Sequence, residues 1–120
     1  MNIIQPVAAI TIAYLLGSLS GSLLLGKLRG VDIRTLGSGN AGGTNALRTQ
    51  GPLFAAGVVL IDVGKGVCAA VLAEWLLPGN APVALAAVFA AVIGHIWPVF
   101  HAFRGGKGAA TAVGGLLVLW

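Results

Sequence analysis

The chain has 120 residues, 58% hydrophobic and 8% charged, with a mean hydropathy of +0.97. A soluble domain carries roughly 25% charged residues, so the composition excludes a water-soluble globule and leaves a single integral membrane domain. Seven Lys and Arg against three acids give a net charge of +4, but the cations are spread along the chain rather than gathered on a soluble basic face, and no nucleic-acid partner is expected.

Residues 6–26 form the first candidate span. They run 21 residues without a charge, and a hydrocarbon core needs about 20. No basic segment precedes them, and Lys27 and Arg29 follow, so a signal peptide is not indicated. Gly17 and Gly21 are four apart, a spacing that lets helix backbones approach closely. A polar loop over 27–52 comes next, carrying Gly37-Ser38-Gly39-Asn40-Ala41-Gly42-Gly43-Thr44-Asn45 and then Arg48.

The second span, 53–77, is interrupted by Asp62 and Lys65. Three apart on a helix, these two share a face and are expected to form a structural ion pair. Cys68 is the single cysteine. It provides no disulfide or metal pattern and is expected to be a small buried hydrophobe. The third span, 82–103, carries His95 and Pro98 near its end. A second loop over 98–108 holds Arg104-Gly105-Gly106-Lys107-Gly108. A fourth apolar run, 108–120, is 13 residues long, too short to span, so the sequence is expected to be the front part of a longer membrane protein. The expected fold is an all-α polytopic bundle with three full spans and the start of a fourth.

Lys27, Arg29, Arg34 and Arg48 follow the first span, and Arg104 and Lys107 follow the third, while the connection near 77–82 and the first five residues carry no cation. By the positive-inside rule this puts the N-terminus outside and both glycine-rich loops in the cytoplasm.

The two loops share a chemistry. Glycines let backbone N–H groups approach an anion without Cβ interference, and successive N–H groups form anion-binding nests. Lys107 supplies a point charge and Arg48 a planar fork suited to phosphate. Ser38, Asn40, Thr44 and Asn45 add neutral hydrogen-bonding groups. The segment from Gly108 to Thr111 is expected to open a helix whose N-terminus attracts anions. His95 has two readings, a general base near its ordinary pKa or a structural residue holding a loop carbonyl. Gly37 to Gly42 also fits the dinucleotide fingerprint, but no strand precedes it and no βαβ unit surrounds it. A non-enzymatic alternative is a small anion transporter or channel subunit.

The stretches from Gly37 to Arg48 and from Gly94 to Thr111, with the Asp62-x-x-Lys65-Gly66 step between them, resemble the bacterial acyl-phosphate:glycerol-3-phosphate acyltransferase family (PlsY) across essentially the whole chain. The resemblance implies a bundle of about seven spans, each of about 20 residues, in the bacterial inner membrane. It also implies transfer of a fatty acyl group from acyl phosphate to the 1-hydroxyl of glycerol 3-phosphate, giving lysophosphatidic acid and phosphate. No cofactor, metal, acyl-CoA or acyl carrier protein is implied. Carried over, Ser38, Arg48, Lys107 and His95 are the expected catalytic contacts. Gly37, Gly39, Asn40, Thr44, Asn45, Arg104, Gly105, Gly106, Gly108 and Thr111 are the expected phosphate-binding set. Ala41 stands where the family usually has Pro, and Gly43 where it usually has Ala. The family's third motif has no counterpart here, so the 120-residue piece is expected to be inactive alone.

Overall fold

The computed structural model describes residues 2–120. Its α-helices are α1 (Ile4–Gly17), α2 (Gly21–Arg29), α3 (Gly43–Gln50), α4 (Pro52–Leu76), α5 (Ala81–Ile96) and α6 (Ala109–Leu119), with single 3-10 turns at Ile33–Thr35 and Val99–His101. Among the described residues there is no strand. Three segments are long and apolar enough to cross a membrane: Ile4–Arg29, Pro52–Leu76 and Ala81–His101. The bundle is 47 Å long, against a hydrocarbon core of about 30 Å.

The segment Ile4–Arg29 is not one helix. It breaks at Ser18 to Ser20, where Ser20 turns extended and its hydroxyl accepts from the Leu23 N–H at 3.4 Å to start α2. The groups freed by the break find partners on α4. The Asp62 carboxylate accepts from the Gly21 N–H at 3.0 Å, and the Lys65 ammonium donates to the carbonyls of Gly17 at 2.8 Å and Leu19 at 3.2 Å. Orphan backbone groups at helix ends are costly in a lipid environment, and this buried pair satisfies three of them.

α4 touches each of the other five α-helices, and α1 packs between α4 and α5. The contacts are made by small residues. A Cβ on Gly17 would run into the Ala91 carbonyl of α5, whereas one on Gly21 would come within 2.7 Å of the Val58 carbonyl of α4. The two glycines therefore serve different neighbours, because the helix break separates them. At the α4–α6 crossing the contact is reciprocal: Gly66 lies against the Thr111 carbonyl and Gly114 against the Val63 carbonyl.

The interior cluster between α1, α4 and α5 is built of alanines, including Ala9, Ala13, Ala69, Ala73, Ala87 and Ala91. The large side chains face outward: Leu60 is 74% exposed, Trp75 75% and Phe89 66%. In water these large apolar side chains would form an exposed patch; in a bilayer, lipid covers them. Cys68 is exposed on α4 rather than buried, because it lies away from the face of the helix that carries the buried Lys65, Gly66 and Ala69.

Candidate active site

Both glycine-rich loops lie at the same end of the bundle. Arg34 joins them. Its guanidinium pairs with Asp32 at 2.9 Å and donates to the carbonyls of His101 at 2.6 Å and Arg104 at 2.9 Å. The Arg34 hydrogen bonds hold the Asp32 carboxyl below its ordinary pKa, and Asp32 raises that of Arg34. Nothing in the sequence pattern singled out Arg34, whose partners lie 67 and 70 residues away.

Between the loops opens a cleft of about 1050 Å³. The first loop and α3 contribute Ser38, Asn40, Thr44, Asn45 and Arg48; the second loop contributes Lys107 and Gly108; Asp62 and His95 reach it from α4 and α5. Gly37, Gly39, Arg104, Gly105, Gly106, Thr111 and Lys65 are not part of its lining. Ala109 and Ala110, at the expected helix start, line it with backbone, and the apolar residues Pro52, Ala55, Ala56, Val59 and Leu60 of α4 line it without any signal in the sequence pattern.

The first loop is folded around Asn45, which is 1% exposed. Its side-chain oxygen accepts from the Ser38 N–H at 3.1 Å, and its amide nitrogen donates to the carbonyls of Leu36 at 3.0 Å and Asn40 at 3.1 Å. Its side chain thus holds the loop's backbone. Ser38 is exposed, and its hydroxyl accepts from the Asn40 N–H at 3.3 Å. Arg48 and Lys107 are exposed at the cleft and have no protein partner among the described residues.

The second loop turns through left-handed backbone at Ala102 and Phe103 (φ 56° and 59°), a conformation non-glycine residues rarely adopt. The N–H groups of Gly105 and Gly106 donate to the carbonyls of Ile96 at 3.0 Å and His95 at 3.1 Å. They close the C-terminus of α5 and are engaged within the fold. The free donors come one step later. Gly108 (φ +85°) precedes α6, and the first-turn N–H groups of a helix have no intrahelical acceptor. The same holds for α3, entered at Gly42. Gly43, Thr44, Ala109 and Ala110 all line the cleft, so two helix N-termini converge on it with their partial positive charge.

Beneath the loops lies a buried cluster. Lys65 Nζ is 3.2 Å from Asp62 Oδ1 and 2.7 Å from His95 Nδ1. Thr111 is fully buried behind the cleft, with its hydroxyl unpartnered among the described residues. Among the described residues no group of three His, Cys, Asp or Glu is placed to hold a metal.

These features define a class: a multi-pass α-helical membrane protein with its cations and helix N-termini gathered at one mouth of the bundle. The family described as glycerol-3-phosphate acyltransferase matches residues 7–120, and the chain belongs to that family. Curated relatives of that name include those from Shouchella clausii, 48% identical over 93% of this chain and 56% of the relative, and Halalkalibacterium halodurans, 51% identical over 89% and 53%. The relative from Myxococcus xanthus is 50% identical over 93% and 59%. The chain thus spans little more than half the length of these relatives. A crystal structure of PlsY (YgiH), an integral membrane glycerol 3-phosphate acyltransferase in its glycerol 3-phosphate form, superposes with a TM-score of 0.89 at 38% identity, covering 95% of this chain and 57% of that one. Its lysophosphatidic acid form gives 0.85 at the same identity.

Proposed function

We propose that this chain supplies the phosphate-binding face of an acyltransferase that moves a fatty acyl group from acyl phosphate to the 1-hydroxyl of glycerol 3-phosphate. The observation that carries this reading is the convergence of two helix N-termini, Arg48 and Lys107 on one cleft. Both substrates carry a phosphate, so the reaction needs two anion subsites, and the cleft has two sets of donors. The solved relatives in glycerol 3-phosphate and lysophosphatidic acid forms support the same acceptor and product.

The acceptor oxygen attacks the acyl carbonyl carbon, the carbon–oxygen bond to phosphate breaks, and phosphate leaves. A phosphate oxygen takes the hydroxyl proton. The donor is already activated, so alignment of hydroxyl and carbonyl provides much of the acceleration, and the cleft's cations and N–H groups stabilise the departing phosphate. Ser38, Arg48, Lys107 and His95 contact the reacting groups in this reading, and Asn45 shapes the first loop. The protein lies in the bacterial inner membrane with this mouth toward the cytoplasm, where glycerol 3-phosphate is found.

The test is acyl transfer in membranes expressing the encoding gene, with acyl phosphate and acyl-CoA compared as donors. Turnover with acyl phosphate alone is expected. Arg48→Ala and Lys107→Ala should each lower kcat/KM by about 10²-fold or more, the scale for losing one preorganised charge partner. Equal turnover with acyl-CoA would overturn the donor assignment. Anion flux without acyl transfer would favour a transporter.

A further inference from the structure

The His95 ring meets Lys65 on one side and the cleft on the other. Lys65 Nζ lies 2.7 Å from His95 Nδ1, deep between α1, α4 and α5. An ammonium has donors and no acceptor, so in this contact Nδ1 accepts. The ring proton of a neutral imidazole is then on Nε2. Asp62 does not compete for the ring: its Oδ1 is 3.8 Å from Nδ1, farther than from Lys65 at 3.2 Å, and it is occupied by the Gly21 N–H. The Nε2 edge lies against Gly106, where even a Cβ would come within 2.5 Å of it. It has no hydrogen-bond partner among the described residues, and His95 lines the cleft.

We propose that Lys65 is a positioning residue that locks His95 in its Nε2–H form, so that His95 meets the bound ligand as a hydrogen-bond donor to an oxyanion and not as a proton acceptor. The Lys65 ammonium is itself fixed. It donates to the Gly17 and Leu19 carbonyls at the helix break, so it cannot turn away from the ring without releasing both. The helix break in α1–α2 and the donor set of the cleft are therefore mechanically one unit, with the Lys65 ammonium shared between them. Gly106 is required at its position because any side chain would displace the Nε2 edge.

The identity of the oxyanion rests on the acyltransferase reading; the tautomer does not. Nitrogen-15 NMR of histidine-labelled protein in nanodiscs reads the tautomer directly, with His95 assigned by the signal lost in His95→Gln. Expected for the wild type at neutral pH is an unprotonated Nδ1 and a protonated Nε2. A protonated Nδ1, in either the other tautomer or the imidazolium, overturns the proposal without reference to activity or to any variant's folding. Lys65→Met should let the two tautomers mix, and Lys65→Arg should keep the Nε2–H form.

Acyl transfer then reads the donor role. Gln places an amide N–H near the Nε2 position and cannot act as a base. His95→Gln is expected to keep kcat/KM within about 10-fold of wild type, while His95→Ala loses about 10²-fold, the scale for removing one donor. Gln as inactive as Ala, with the expected tautomer present, would overturn the donor role alone. Failure of every variant and of the wild type to transfer acyl groups would count against the acyltransferase reading and leave the NMR result standing.

Discussion

Arg34 holds the second loop to the first, and the grip depends on Asp32 orienting its guanidinium. The folded pKa of Asp32 lies below its ordinary value, so the contribution is fully present above the unfolded carboxylate pKa of about 3.9. It is lost as pH falls through the lower folded value. The pair is partly exposed, so the effect is local. Hydrogen exchange at Phe103 and Arg104, corrected for intrinsic rate, should stay slow at neutral pH and speed up only in acid. In Asp32→Asn it should be fast already at neutral pH; unchanged protection there would refute the staple. Ser38 gives a second residue-scale expectation. A serine nucleophile needs an adjacent base, but the Ser38 hydroxyl has only the Asn40 N–H as partner, and His95 Nδ1 is taken by Lys65. Mass spectrometry during turnover is expected to find no acyl group on Ser38, and trapping one would reverse this.

At the level of elements, close helix contact is set by glycines, but only some of them. Gly66 sits against the Thr111 carbonyl, so Gly66→Ala forces α4 and α6 apart and should lower stability by about 1–3 kcal/mol, the usual range for overpacking. Gly64, two residues earlier on the same helix, has open space for 4 Å around the point where a Cβ would stand, and Gly64→Ala should cost no stability. Thermal unfolding of both variants in detergent decides it, and equal losses would remove the crossing argument. The membrane-crossing segments are readable from sequence because length and apolarity alone define them. The break at Ser18 to Ser20 is not, because the groups that make it tolerable, Asp62 and Lys65, lie more than 40 residues away. α3 is hidden for a different reason: its eight residues are mostly polar and look like loop. Glycine and cation spacing marks both loops as candidate anion sites, and residues of both line the cleft. The start of α6 after Gly108 is legible too, but the engagement of the Gly105 and Gly106 N–H groups is not, since they close α5 through carbonyls at Ile96 and His95.

For the whole molecule, the charge distribution has one polar mouth and one nearly uncharged end. In spheroplasts, an impermeant maleimide added outside is expected to label Pro78→Cys and to miss Arg104→Cys; the reverse pattern would invert the proposed orientation. The inward alanines and outward Leu, Trp and Phe make enlargement harmful inside, as in any packed core, and apolar exchange harmless on the lipid face. The stitched helix break reaches further, into the cost of holding charge in lipid. A charge at the bilayer centre costs about 2.5–3.5 kcal/mol on insertion scales, and α4 brings two. α1 and α2 precede α4 in the chain, and their open backbone at Gly17, Leu19 and Gly21 is what Asp62 and Lys65 pair with. The kink thus offers the two charges of α4 backbone partners that offset part of that cost.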